Sequence, residues 1–163
     1  GAAMATGENG RINVRRAVPE DLDSIVRFNA AMALETEGKV LDQRKLREGV
    51  AAVFQRHGLG DYYVAEFAGR VVGQLLITTE WSDWRNSYYW WIQSVYVDAD
   101  YRRSGVYRAL HTFVADEAEG KGVQGLKLYV DRDNKRAQSV YADLKMNHSN
   151  YDLWEIDFES AQD

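Results

Sequence analysis

The stretch Val95-Tyr96-Val97-Asp98-Ala99-Asp100-Tyr101-Arg102-Arg103-Ser104-Gly105-Val106-Tyr107-Arg108-Ala109-Leu110 decides the fold. It leaves an apolar strand over 88–97 and crosses a short basic turn containing Gly105. It then enters an amphipathic helix over 104–119, with Val106, Ala109, Leu110, Phe113 and Val114 on one face. The first N–H groups of a helix lack intrahelical partners, and the helix dipole favours negative charge there. A helix start normally prefers acids, yet Arg102, Arg103 and Arg108 cluster at this one. That pattern points to an external anion, a phosphate above all; the alternative is a solvated turn. No Gly-Lys-Ser/Thr follows the glycine and the three-glycine dinucleotide spacing is absent, so neither of those nucleotide loops applies.

Upstream, residues 12–17 alternate as a strand, and Pro19-Glu20-Asp21 opens a helix whose stripe of Leu22, Ile25, Val26 and Asn29 runs to about Glu35. Gly38 breaks it, and Asp42 caps a second helix through Leu46, Val50, Val53 and Phe54. Strands over 62–67 and 71–79 flank Ala68-Gly69-Arg70 as a hairpin, and 81–87 reads as a second turn. The strand at 88–97 is apolar on both faces, as a central strand should be. Downstream come a strand over 126–130, a helix over 134–144 and a last strand over 151–158. The order β-α-α-β-β-β-α-β-α-β predicts an α/β (mixed α+β) fold with a central mixed sheet and helices on both faces. Residues 1–10 read as a disordered leader, with Gly-Ala-Ala before Met4 an expression remnant. Residues 11–158 read as a single domain and 159–163 as a tail.

Composition excludes several chemistries. Among 163 residues there is no cysteine, so no disulfide framework, thiolate metal site or cysteine nucleophile. His57, His111 and His148 stand at no zinc-ligand spacing, and no metal site is expected. Twenty basic against 25 acidic residues leave a net charge of −5, which argues against nonspecific nucleic-acid binding. No apolar run approaches a membrane span and no signal peptide is visible, so a cytoplasmic protein without a membrane partner is expected. The excess is aromatic: ten Tyr and five Trp. Trp81, Trp84, Trp90 and Trp91 all fall between Glu80 and Ile92.

A second segment, Asn134-x-x-Ala137-x-x-x-Tyr141, places an N-cap and a tyrosine on one helix, where Tyr141 taken alone reads as a core aromatic. Together with Arg102-x-x-Gly105 and the following Arg108-Ala109-Leu110, it resembles the GNAT N-acetyltransferase superfamily, as a bacterial-type single-domain member, over roughly 12–158. The family's phosphate loop reads Arg/Gln-x-x-Gly-x-Gly/Ala. Two positions depart from the pattern. Tyr107 stands where the family has Gly or Ala, so its ring must point away from a bound pyrophosphate. Lys145 replaces the helix-ending glycine, at a cost of about 1 kcal/mol if the site is left-handed.

The resemblance implies acetyl-coenzyme A as cofactor and direct transfer of acetyl to an amine of a small molecule or peptide. It implies that Arg102, Arg103, Ser104, Gly105, Val106, Tyr107 and Arg108 hold the pyrophosphate. Backbone groups of Val95, Tyr96 and Val97 would pair with the pantetheine arm where strands 88–97 and 126–130 splay, and Asn134 would lie beside it. Tyr141 becomes the general acid for the leaving thiolate. A phenol near pKa 10 facing a thiol near 8.5 leaves that transfer uphill by roughly 2 kcal/mol. The proton of the amine needs an acceptor too. Glu80, beside the presumed catalytic strand, leads over Glu35 and Glu37 after the first helix, and a base acting through water is a further option.

Trp81, Trp84 and Trp91, with Gln93 on the face of Trp91, suggest an acceptor pocket with aromatic walls; a lid or a homodimer contact is the other reading of the tryptophans. Two other functions compete: a noncatalytic acyl-coenzyme A binding module and an aromatic-rich protein-interaction domain.

Overall fold

The structure, a computed structural model, describes residues 11–159. These fall into two compact units, one ending at Leu128 and the other starting at Tyr129. Residues 1–10, read above as a leader, lie outside the described residues, as do the last four of the tail.

The first unit begins with β1 (Ile12–Arg16) and a single 3-10 turn, Pro19–Asp21, that feeds α1 (Leu22–Glu37). Asp21 organises this entry: its buried carboxylate accepts from Val18 N at 2.8 Å and from both terminal nitrogens of Arg15 at 2.8 and 3.0 Å. Gly38 ends α1 in the left-handed conformation at φ 64°. Then comes α2 (Gln43–Gln55), capped as expected by Asp42, whose side chain accepts from Lys45 N at 2.9 Å. Three antiparallel strands follow, β2 (Asp61–Phe67), β3 (Arg70–Ser82) and β4 (Ser87–Val97). Next are α3 (Val106–Gly120) and β5 (Gly125–Leu128), which pairs parallel to β4.

The sheet order is β1-β2-β3-β4-β5, mixed as expected, with helices on both faces. α3 covers a core of Val14, Tyr63, Leu75, Ile77, Trp90 and Ile92 on one face. α1 and α2 bury Ile25, Val26 and Val50 against Tyr62 and Val64 on the other. Gly73 lets α3 start hard against the sheet: a Cβ there would stand 3.1 Å from both Tyr96 O and Val106 Cγ1.

Two features of β4 prepare a site. Ile77 pairs with Ile92 and Leu76 with Ser94, so Gln93 is an extra residue, a β-bulge. And β5 pairs only with Tyr89–Ile92, so β4 runs on from Gln93 to Val97 with no β5 partner.

The second unit contains α4 (Lys135–Asp143), capped by Asn134, and the C-terminal segment. Three sequence expectations are corrected. No strand forms over 151–158, because alternation makes a segment competent for a sheet but only a ladder partner makes it a strand. β5 stops at Leu128 rather than at 130. β3 and β4 extend into the expected 81–87 turn, so Trp81 and Ser87 belong to strands and the turn shrinks to 83–86.

Candidate active site

Beyond β4 the chain makes a 3-10 turn, Ala99–Tyr101, capped by Asp98, and reaches the basic loop. Arg103 and Gly105 both adopt left-handed backbone, φ 66° and 88°. Gly105 is the N-cap of α3, and no side chain caps that helix. Among the described residues, a Cβ built on Gly105 would meet only Ile12 Cδ1, at 4.0 Å, so the glycine is required by backbone conformation and not by crowding. Ser104 spends its hydroxyl on Tyr101 O. Val106 is 2% exposed and packs into the core, so only its backbone can serve the loop. Tyr107, the departure from the family pattern, turns down the helix: its hydroxyl lies 3.1 Å from His111 Nδ1. Its ring therefore leaves the backbone of the loop approachable. A helix start without a side-chain cap, behind two left-handed residues and flanked by arginines, fits a phosphate-bearing cofactor.

Arg102 ties this loop to the helix across the sheet face. Its Nε donates to Val97 O at 3.0 Å and its Nη2 to Glu35 Oε1 at 2.7 Å. The guanidinium also lies 5.1 Å from the Tyr96 ring centroid. The Tyr96 hydroxyl donates to the other oxygen of Glu35, and its ring packs on Phe28 of α1 at 5.5 Å. Hydrogen bonds from Tyr96 and Arg102 hold the Glu35 carboxyl below the ordinary glutamate value. Burial, together with the Glu35 carboxylate, pushes the Tyr96 phenol up to about 12. The sequence assigned Tyr96 only a backbone role; its side chain proves to be the hub. Glu37 takes no part, since it turns to Lys39 at 3.6 Å in solvent.

On the same face, Gln74 is fully buried and neither of its amide atoms has a partner among the described residues; the same holds for Ser94 Oγ. Gln74 pairs across the ladder with Tyr96, and Ser94 follows the bulge residue Gln93. A buried amide without a partner costs about 1–3 kcal/mol. The signal was present in the sequence as one polar residue inside the apolar run Val71-Val72-Gly73-Gln74-Leu75-Leu76-Ile77.

The other end of β4 is organised differently. Glu80 accepts from Trp91 Nε1 at 2.8 Å and from Lys127 Nζ at 3.0 Å. The same ammonium lies 4.0 Å from the Tyr89 ring centroid and 5.7 Å from that of Trp91. The Trp91 and Lys127 hydrogen bonds keep the Glu80 carboxyl below its ordinary value, which makes it a weak proton acceptor. Lys127 was missed in the sequence because its partners lie on two other strands, β3 and β4. The tryptophans do not share one pocket. Trp81 pairs with Tyr88, edge to face at 4.9 Å, and strand alternation sends it to the face opposite Glu80. Trp84 sits in the turn, 93% exposed, and Trp90 is core. Of the proposed aromatic wall only Trp91 stays on the face of Glu80.

In the second unit Asn134 Oδ1 accepts from Ala137 N at 3.1 Å, so its side chain serves as the cap of α4. Tyr141 lies one turn past Ala137, and its carbonyl accepts from Met146 N at 3.0 Å. Lys145 is left-handed, φ 70°, at the position where the family places glycine.

Comparison with known proteins bears on this geometry. The model of the acetyltransferase (GNAT) family matches residues 29–146. A solved structure of a possible acetyltransferase from Clostridium difficile 630 is 40% identical, covers 91% of this chain and 98% of its own, and superposes with a TM-score of 0.84. At 18% identity, where likeness speaks for the fold alone, a ribosomal-protein-alanine N-acetyltransferase from Brucella melitensis biovar Abortus 2308 gives a TM-score of 0.73, covering 90% of this chain and 99% of its own. An aminoglycoside acetyltransferase from an uncultured soil metagenomic sample gives 0.73 at 16% identity, covering 91% and 97%. No curated protein matches the chain. With most of its length matched by the family model, and the bulged strand and the glycine-hinged basic loop in place, the chain belongs to the GNAT acetyltransferase family.

Proposed function

We propose that this protein is an acetyl-coenzyme A-dependent N-acetyltransferase that acetylates a primary amine of a small molecule or peptide by direct attack. The observation that carries the reading is the loop from Arg102 to Val106, hinged by Gly105 at φ 88° and opening on a helix start with no side-chain cap. Acetyl-coenzyme A would supply an activated acetyl group on a thiolate leaving group. The loop backbone and the charges of Arg102, Arg103 and Arg108 would hold its diphosphate. The backbone of Val95, Tyr96 and Val97, on the part of β4 without a β5 partner, would align its amide-bearing arm as an added strand. A backbone N–H in the same stretch would support negative charge on the acetyl oxygen.

Tyr141 carries the role of general acid through the motif Asn134-x-x-Ala137-x-x-x-Tyr141. For the acceptor, Glu35 beside the basic loop is held ionised, which suits it to attract and orient an ammonium rather than to take its proton; Glu80, also held ionised, is engaged by Trp91 and Lys127. A water relay completes the deprotonation, and the unpartnered polar atoms of Gln74 and Ser94 beside Tyr96 support such a path. A noncatalytic binding module would bind the coenzyme and stop there.

Tyr141→Phe separates the two. In the enzyme it lowers kcat about a hundredfold, the scale of general acid catalysis, with coenzyme affinity by calorimetry unchanged. Wild-type kcat in that variant removes the role from Tyr141, and coenzyme binding without turnover on any amine favours the module.

A further inference from the structure

Arg102 stands at the mouth of the basic loop, yet its charge is already matched from within the protein. Its Nη2 donates to Glu35 Oε1 at 2.7 Å and its Nε to Val97 O at 3.0 Å, while the guanidinium lies 5.1 Å from the Tyr96 ring centroid. The Tyr96 hydroxyl donates to the other Glu35 oxygen. Both donors to Glu35 thus come from the coenzyme side, Tyr96 from β4 and Arg102 from the loop. Glu35 itself is supplied by the last turn of α1, just before Gly38 ends that helix.

A carboxylate is an unexpected neighbour for a phosphate site. With Glu35 ionised, the pair it forms with Arg102 is neutral as a unit, and the carboxylate repels an incoming diphosphate. Nor is the pair a buried structural tie. Its two side chains are 44% and 42% exposed, and a half-exposed ion pair adds little to stability. An ionised carboxylate offers about four lone-pair sites, so Glu35 can accept a further donor beside Arg102 and Tyr96. An ammonium docked there turns the neutral pair into a group of net positive charge, which favours a diphosphate at the loop.

We propose, resting on the coenzyme and acceptor roles given above, that Glu35 couples the two substrate sites. Without an acceptor it restrains Arg102 and weakens coenzyme binding; with the acceptor's ammonium on it, the charge of Arg102 becomes available to the diphosphate. The two ligands then bind with positive cooperativity, and by linkage each raises the affinity of the other by the same factor. The acceptor is accordingly an amine that arrives as a cation, and a neutral molecule gains no such help.

Calorimetric titration of the full-length protein with coenzyme A, and separately with inorganic pyrophosphate, tests the restraint. Glu35→Gln keeps the size of the side chain and an oxygen for Tyr96 but removes the charge. Both ligands should bind this variant about fivefold more tightly than wild type, the low end of coupling between sites because the pair is half exposed. In the same variant kcat/KM for an amine should fall, since the acceptor loses its carboxylate. Glu48→Gln, on α2 and paired with Arg44, makes the same change in net charge and should leave both affinities unchanged. The coupling itself is read by repeating the coenzyme A titration in n-butylammonium chloride and in sodium chloride at equal concentration. Affinity should be higher in the ammonium salt for wild type and equal in the two salts for Glu35→Gln. Unchanged or weaker binding by Glu35→Gln overturns the proposal, as does equal tightening by Glu48→Gln or a wild type that treats the two salts alike. Failure of the coenzyme reading looks different: neither wild type nor variant binds coenzyme A at all, and the proposal falls with it.

Discussion

The two ends of β4 use the same kinds of side chain for opposite purposes. At its start, Tyr89–Ile92 is paired on both sides, and Glu80, Trp91 and Lys127 satisfy one another. At its end, the bulge at Gln93 and the loss of the β5 partner leave backbone available. There Glu35, Tyr96 and Arg102 join α1 to the mouth of the basic loop. A carboxylate, a cation and an aromatic ring meet at each end, but only at the second does β4 run on without a β5 partner. The first set of contacts holds three strands in register, and the second leaves backbone of β4 available for the coenzyme arm proposed above.

Substitutions at the two ends should therefore differ in kind. The largest effect is expected at Gly105. A valine there must adopt φ 88°, which costs about 1–2 kcal/mol for a side-chain-bearing residue, so coenzyme affinity should fall at least about tenfold by calorimetry. Unchanged affinity would mean that the loop conformation is not what binds the coenzyme.

Glu35→Gln comes next. It removes one charge-assisted contact each with Arg102 and Tyr96 and should lower kcat/KM about tenfold. The same variant tests the pH behaviour. Because the folded-state pKa of Glu35 is lowered, its contribution to stability is full above the ordinary glutamate value and disappears as pH falls through the folded value. The difference in melting temperature between wild type and Glu35→Gln should thus be present at neutral pH and close on acidification below the usual glutamate range. A gap that widens on acidification would contradict the lowered pKa.

Lys145→Gly should stabilise by about 1 kcal/mol in denaturant melts, since lysine there holds φ 70°. The smallest effect belongs to the start of β4. Lys127→Met should cost less than about 1 kcal/mol, because the Glu80 pair is half exposed, and should leave coenzyme affinity unchanged. A large loss of affinity there would erase the distinction between the two ends.

Most of the fold was legible because it follows from local pattern. The capping Asp42, the helix break at Gly38 and the strand-turn-helix around Gly105 each sit where the sequence predicts. The left-handed backbone at Lys145 was likewise foreseeable from the residue type the family prefers there. What escaped the sequence depends on pairing between distant elements. The acceptor wall of Trp81, Trp84 and Trp91 divides over two faces and a turn because alternation along β3 and β4 separates them. The contacts of Tyr96 with Glu35 and of Lys127 with Glu80 span 61 and 47 positions in sequence, where no local signal reaches. The segment 151–158 has a strand's pattern, but a pattern cannot name its partner.

The most direct measurement is release of free thiol from acetyl-coenzyme A across a panel of primary amines, with wild type and Gly105→Val side by side. Amine-dependent thiol release by the wild type, strongly reduced in the variant, is the predicted result. Thiol release that ignores the amine, or proceeds equally well with valine at position 105, would contradict acetyl transfer through this loop.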